Sequence, residues 1–202
     1  MQAPARGKPG STSALTGIPM ESRVKVAGHS LHQMLIVFPL GLLATAVVFD
    51  VIFLVTDNPT WTQAAFYMIG AGVITGLMAA VPGALDWWAI PRGTRAKRLG
   101  LIHGVGNVVV VALFAISWIL RRDDPALPPT EAVVAGLLGA GISVVTGWLG
   151  GELVDRLGVG VDDGAHLDAP SSLTSRAVAT GRGDRRHFPQ PAYAGVDRRQ
   201  HA

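Results

Sequence analysis

The chain has no cysteine, and only 15% of its 202 residues are Asp, Glu, Lys or Arg. The first absence excludes disulfide frameworks, thiolate nucleophiles, thiolate zinc sites and cysteine-ligated iron–sulfur clusters. The second excludes an ordinary water-facing globule, in which about a quarter of the residues carry charge. Catalytic signatures are missing too: there is no Walker loop, no G-x-S-x-G and no H-E-x-x-H, so nothing marks an enzyme. What remains is 49% apolar with 25 glycines, and nearly all the charge is gathered in residues 1–25, 92–98, 121–124 and 152–202. The stretches between are apolar over lengths that match a bilayer.

Four such stretches, 32–55, 62–88, 101–120 and 131–154, each approach the roughly 20 residues that cross about 30 Å of hydrocarbon as a helix. None alternates apolar with polar residues as a lipid-facing strand would, and a helix satisfies its own backbone in lipid. The expected fold is therefore all-α, an integral membrane four-helix up-down bundle. Residues 1–28 read as a polar tail, 29–161 as the transmembrane domain and 162–202 as a disordered tail of low apolar content. The first apolar run begins too late and is too long for a cleavable signal, so the first helix is expected to stay as an anchor. Fifteen of the seventeen basic residues fall on the side shared by both tails and the 89–100 loop. The positive-inside rule then places both termini in the cytoplasm. Small residues (Gly72, Gly76, Gly136, Ala140, Gly147) are expected to pack helices closely within the bundle, with a homo-oligomer as the other use of such spacing.

Up-down topology brings His29, His32, Asp86, His103, Asn107 and Glu152 to the cytoplasmic end. His29 and His32 are three residues apart and His103 and Asn107 four apart, so each pair is expected to share a helix face. Intramembrane polar groups are costly and usually face the bundle interior, which makes this collection the expected site. Asp50 is separate, lying five turns beyond His32 or about 27 Å along the axis. It reads either as a proton relay or as a bond to a neighbouring helix.

The run Gly28-His29-Ser30-Leu31-His32-Gln33-Met34-Leu35-Ile36-Val37-Phe38-Pro39-Leu40-Gly41-Leu42 resembles the opening of the bacterial membrane proteins grouped as Domain of Unknown Function 2231. Ala79–Trp87 (AAVPGALDW), His103 with Asn107, and Thr146–Val154 (TGWLGGELV) running into Gly158-Val159-Gly160-Val161 extend the resemblance over about residues 28–161. Members commonly carry Pro after the second His and a further polar residue before the Phe-Pro, where this chain has Gln33 and Val37. The resemblance implies the four-helix fold, the marked residues and a bacterial plasma membrane, and it implies no reaction.

The leading expectation from the residues is a b-type haem held by His32 or His29 opposite His103. Asn107 would orient a ligand, Arg92, Arg95 and Arg98 would pair with propionates, and the partner would be a membrane redox complex. A second expectation uses His29, His32, His103, Asp86 and Glu152 as a mixed metal or proton site. The third has the histidines only hydrogen-bonding across helices, in an accessory or scaffold subunit of a membrane complex. Nucleic acid is not an expected partner, because acids interrupt the basic tail and no folded nucleic-acid module is present.

Overall fold

The apolar stretches form four helical spans, Leu31–Thr56, Pro59–Ala89, Arg95–Leu120 and Thr130–Arg156, each long and apolar enough to cross a membrane. The structure, a computed structural model, describes residues 19–173. The expectations for 1–18 and 174–202 lie outside the described residues. One unit runs through Ala169, and residues 170–173 belong to another.

The first span is divided into α1 (Leu31–Leu35) and α2 (Val37–Thr56). Pro39 is the cause, since it has no N–H for the Leu35 carbonyl. Ile36 keeps helical dihedrals, its N–H reaching the His32 carbonyl at 3.1 Å and its carbonyl accepting from Leu40 at 3.1 Å, so the span continues across the break. Asp57 ends α2 in the left-handed region at φ 52°, which a short acidic side chain tolerates. Asn58 then caps α3 (Pro59–Ala89) by accepting from the Thr60 N–H at 3.1 Å, with Pro59 where a helix needs no donor. Thr94 caps α4 (Arg95–Leu120) by accepting from Lys97 N–H at 3.1 Å. The last helix, α5 (Thr130–Gly151), widens into a π-helical turn over Glu152–Arg156.

Two hairpins result, α2 against α3 and α4 against α5, joined by α3 with α4 and α2 with α5. Leu43, Ala46, Ala65, Ile69, Val73, Val110 and Phe114 form the buried core between them. Close approach replaces a hydrophobic drive between helices in lipid. A Cβ on Gly72 would lie 2.6 Å from the Leu43 side chain, and one on Gly106 would lie 2.5 Å from Thr146. Gly72 and Gly76, the latter beside Val111, therefore serve packing inside the bundle, whereas Gly147 faces open space.

At the end of the bundle where α2 turns into α3, Asp50 of α2 is 1% exposed and Arg121, just after α4, is fully buried. Both guanidinium Nη atoms donate to the carboxylate at 2.6 Å, and Nε donates to Ser117 Oγ at 3.2 Å. Ser117 in turn donates to the Ala132 carbonyl at 2.6 Å, so one network joins α2, α4 and α5.

At the opposite end, residues 20–30 form a strap rather than the free tail that composition suggests. Two-residue strands β1 (Lys25–Val26) and β2 (His29–Ser30) pair antiparallel around Ala27 and Gly28, both with positive φ. Met20 bridges to Val159, donating to Gly158 and accepting from Gly160 at 2.9 and 2.6 Å. The two ends of the bundle's chain thus meet at one face. Lys25 pairs with Glu21 at 2.6 Å and Asp162 at 3.5 Å. The bond to Glu21 raises Lys25 above its ordinary 10.5, and the Gly164 N–H, with Glu21 and Lys25, holds Asp162 below 3.8.

Two outcomes follow from these contacts. Asp50→Asn leaves a buried guanidinium without its counter-charge and is expected to cost about 3–5 kcal/mol in detergent unfolding, with much of the loss recovered in Asp50→Leu/Arg121→Met. The strap's ionic anchoring is fully present between 3.8 and 10.5. It weakens in acid as the depressed Asp162 takes up its proton and in base as the raised Lys25 loses one. Amide-exchange protection at Met20 and Gly160 is expected to fall outside that window and hold within it.

Candidate functional site

His32 is the second residue of α1, and its Nδ1 lies 2.9 Å from the Ala79 carbonyl of α3. His103, in the third turn of α4, places its Nδ1 2.9 Å from the Thr146 carbonyl of α5. A carbonyl only accepts, so each Nδ1 carries the hydrogen, and in a neutral imidazole so held the lone pair is on Nε2. Pro82, three residues after Ala79, leaves the Met78 carbonyl without its helical donor and disturbs the ladder where His32 bonds. On the other hairpin the π-helical turn begins six residues after Thr146.

The arrangement is repeated. In each hairpin an imidazole on the first helix bonds a carbonyl on the second, and the residue four positions after that carbonyl is glycine. A Cβ on Gly83 would fall 2.8 Å from His32, and one on Gly150 would fall 3.1 Å from His103. The close approach of the ring leaves no room for a methyl group at Gly83 and a tight fit for one at Gly150.

Asn107 secures His103. Its amide donates to the His103 carbonyl at 2.8 Å, lies 3.3 Å from Nε2, and its Oδ1 accepts from Thr146 Oγ1 at 3.2 Å. His32 Nε2 has no hydrogen-bond partner among the described residues.

The other residues of the expected site are not assembled with these two. His29 precedes the helix, lies exposed in β2, and has its Nδ1 3.2 Å from the Ala27 carbonyl, so it does not share a helix face with His32. Asp86 is buried beneath the strap, where it accepts from Ser22 Oγ at 2.7 Å and from the Arg23 N–H at 2.6 Å. Glu152 pairs with Arg95 at 2.7 Å. Among the described residues no group of three or more His, Asp or Glu is placed to hold a metal ion. Each carboxylate of the mixed metal or proton site is committed to a different partner. Asp50 is not a lone acid, being paired with Arg121 as above. Arg121, Ala79, Thr146, Gly83 and Gly150 are absent from the sequence-level site. The small-residue pairs Ala79…Gly83 and Thr146…Gly150, one turn apart at the depth of the histidines, were the available signal.

These features define a multi-pass membrane protein built on a four-helix bundle, with one carbonyl-bonded imidazole in each hairpin. The chain belongs to the family described as predicted membrane protein (DUF2231), which matches residues 28–163. No curated protein and no solved structure matches it.

Gly83→Ala and Gly150→Ala each drive a methyl group into an imidazole and are expected to lower stability by about 1–3 kcal/mol, the usual cost of overpacking. Gly41→Ala, whose Cβ would meet nothing within 4 Å, is the control and is expected to be neutral or stabilising in the same thermal-unfolding assay.

Proposed function

We propose that the protein carries a b-type haem in the membrane, with His32 and His103 as its two axial ligands, and passes single electrons to a membrane redox partner. The observation that carries this reading is the shared state of the two imidazoles. Each is held through Nδ1–H by a backbone carbonyl, the outer-shell bond that fixes a metal-ligating histidine; Nε2 is without a partner among the described residues on His32, and on His103 it would exchange the Asn107 amide for the iron. The two rings come from different hairpins, as axial ligands in the core of a four-helix bundle do. Asn107 is a positioning residue, holding the backbone and ring of His103. Arg95 is engaged by Glu152, and Arg92 and Arg98 are exposed, so the propionate role expected of that loop forms no part of the proposal.

The same two hydrogen bonds support a second reading. Each imidazole staples the helices of its own hairpin, and a bundle so stapled serves as an accessory or scaffold subunit in a membrane complex.

The reduced-minus-oxidised visible spectrum of protein purified in mild detergent from haem-replete cells separates them. The expected result is a sharp low-spin b-type signal at near-stoichiometric haem, abolished by His32→Ala and by His103→Ala and retained by His29→Ala. Folding of each variant is checked by circular dichroism. A featureless spectrum from folded wild-type protein overturns the haem reading and leaves the accessory one.

A further inference from the structure

The corner between α3 and α4 combines free cations with an apolar surface. Residues 87–122 contain no acid. Of the four basic residues in this loop and the start of α4, two are committed. Lys97 donates to the Trp87 and Trp88 carbonyls at 2.6 and 3.2 Å and stands 3.9 Å over the Trp87 ring, while Arg95 pairs with Glu152. Arg92 and Arg98 are exposed, and neither guanidinium has a hydrogen-bond or ion-pair partner among the described residues.

Their position relative to the apolar surface is specific. Arg98 stands one turn before Leu101 and Ile102, which with Val105 form the exposed face of α4 at helical spacing. On α3 the exposed face passes through Val81 and Leu85 and ends at Trp88, which is 74% exposed. Arg92 lies in the loop between these two faces. The Lys97–Trp87 contacts fasten the loop to both helices. Exposed apolar faces run along every span, so what marks this corner is two guanidinium groups, unpartnered among the described residues, at the ends of lipid-facing helices. A molecule with an anionic phosphate head and apolar tails matches both, because bidentate guanidinium bonding suits phosphate oxygens and the exposed aliphatic faces suit acyl chains.

We propose that Arg92 and Arg98 bind the phosphate of an acidic phospholipid whose acyl chains lie along the exposed faces of α3 and α4. The Trp88 indole sits at headgroup level beside it, as amphipathic aromatic rings do. The site lies outside the bundle and is independent of the haem reading.

The probe is spin-labelled phosphatidylglycerol, compared with spin-labelled phosphatidylcholine, on the full-length protein in neutral bilayers at physiological salt. Wild-type protein is expected to restrict phosphatidylglycerol with an association constant at least about fivefold that for phosphatidylcholine, the effect of one basic side chain at a membrane surface or more. Arg92→Gln/Arg98→Gln is expected to abolish this preference. Arg92→Lys/Arg98→Lys, which keeps the charges, and Arg122→Gln, at the opposite end of the bundle, are expected to retain it. Equal association of the two lipids with wild-type protein overturns the proposal, as does a preference undiminished in the double Gln variant. Loss of the preference on adding millimolar glycerol 3-phosphate also overturns it, in favour of a soluble phosphate ligand.

Discussion

Hydrocarbon offers no hydrogen bonds, so a polar group carried into the bilayer must find its partner within the protein. Most of the bundle follows from that constraint, the buried indole N–H of Trp118 being left without a partner among the described residues. Backbone groups are met inside each helix, and the hydroxyls of Thr45 and Thr75 donate back to carbonyls of their own helices. The few groups that cannot be met locally, Asp50, His32, His103 and Asn107, reach across to a neighbouring helix or are locked against one. Each such bond costs a side chain its freedom and returns a fixed relation between two helices. Polar residues therefore set the register in a structure whose apolar contacts are largely non-directional.

The two ends of the bundle use this in different ways. At one end a single bidentate ion pair gathers α2, α4 and the start of α5, with Ser117 passing the interaction on to a backbone carbonyl. A buried pair of this kind gives little net stability over an apolar replacement, yet it is severe to break, because either partner left alone is an uncompensated charge. At the other end two separate neutral hydrogen bonds each hold one hairpin, and a glycine beneath each ring makes the approach possible. Of the two rings, His32 keeps an Nε2 with no hydrogen-bond partner among the described residues, whereas the Asn107 amide stands 3.3 Å from that of His103.

The strap over the histidine end shows how a segment of tail-like composition becomes ordered. Residues 20–30 bury no apolar side chain fully, and they are held by main-chain bonds to residues 158–160 and by Asp86, which accepts from both Ser22 and Arg23. The carboxylate of Asp86 was visible as an acid near a span end. Its partner was not, because Ser22 and Arg23 lie more than sixty residues earlier and carry no local signal of helix or strand.

Four apolar runs of bilayer length, the absence of alternation and the placement of charge determined the fold class, the number of spans and the antiparallel order, since hydrophobic length and backbone satisfaction are properties of each segment alone. The caps at Asn58 and Thr94 and the break at Pro39 are likewise local, each set by residues within one helical turn. The pairing of His32 with Ala79, His103 with Thr146 and Asp50 with Arg121, and the separation of His29, Asp86 and Glu152 from the two buried imidazoles, were decided by the tertiary structure. Depth in the membrane follows from position in a span, whereas azimuth, the direction in which a side chain leaves its helix relative to its neighbours, exists only once all four helices are packed.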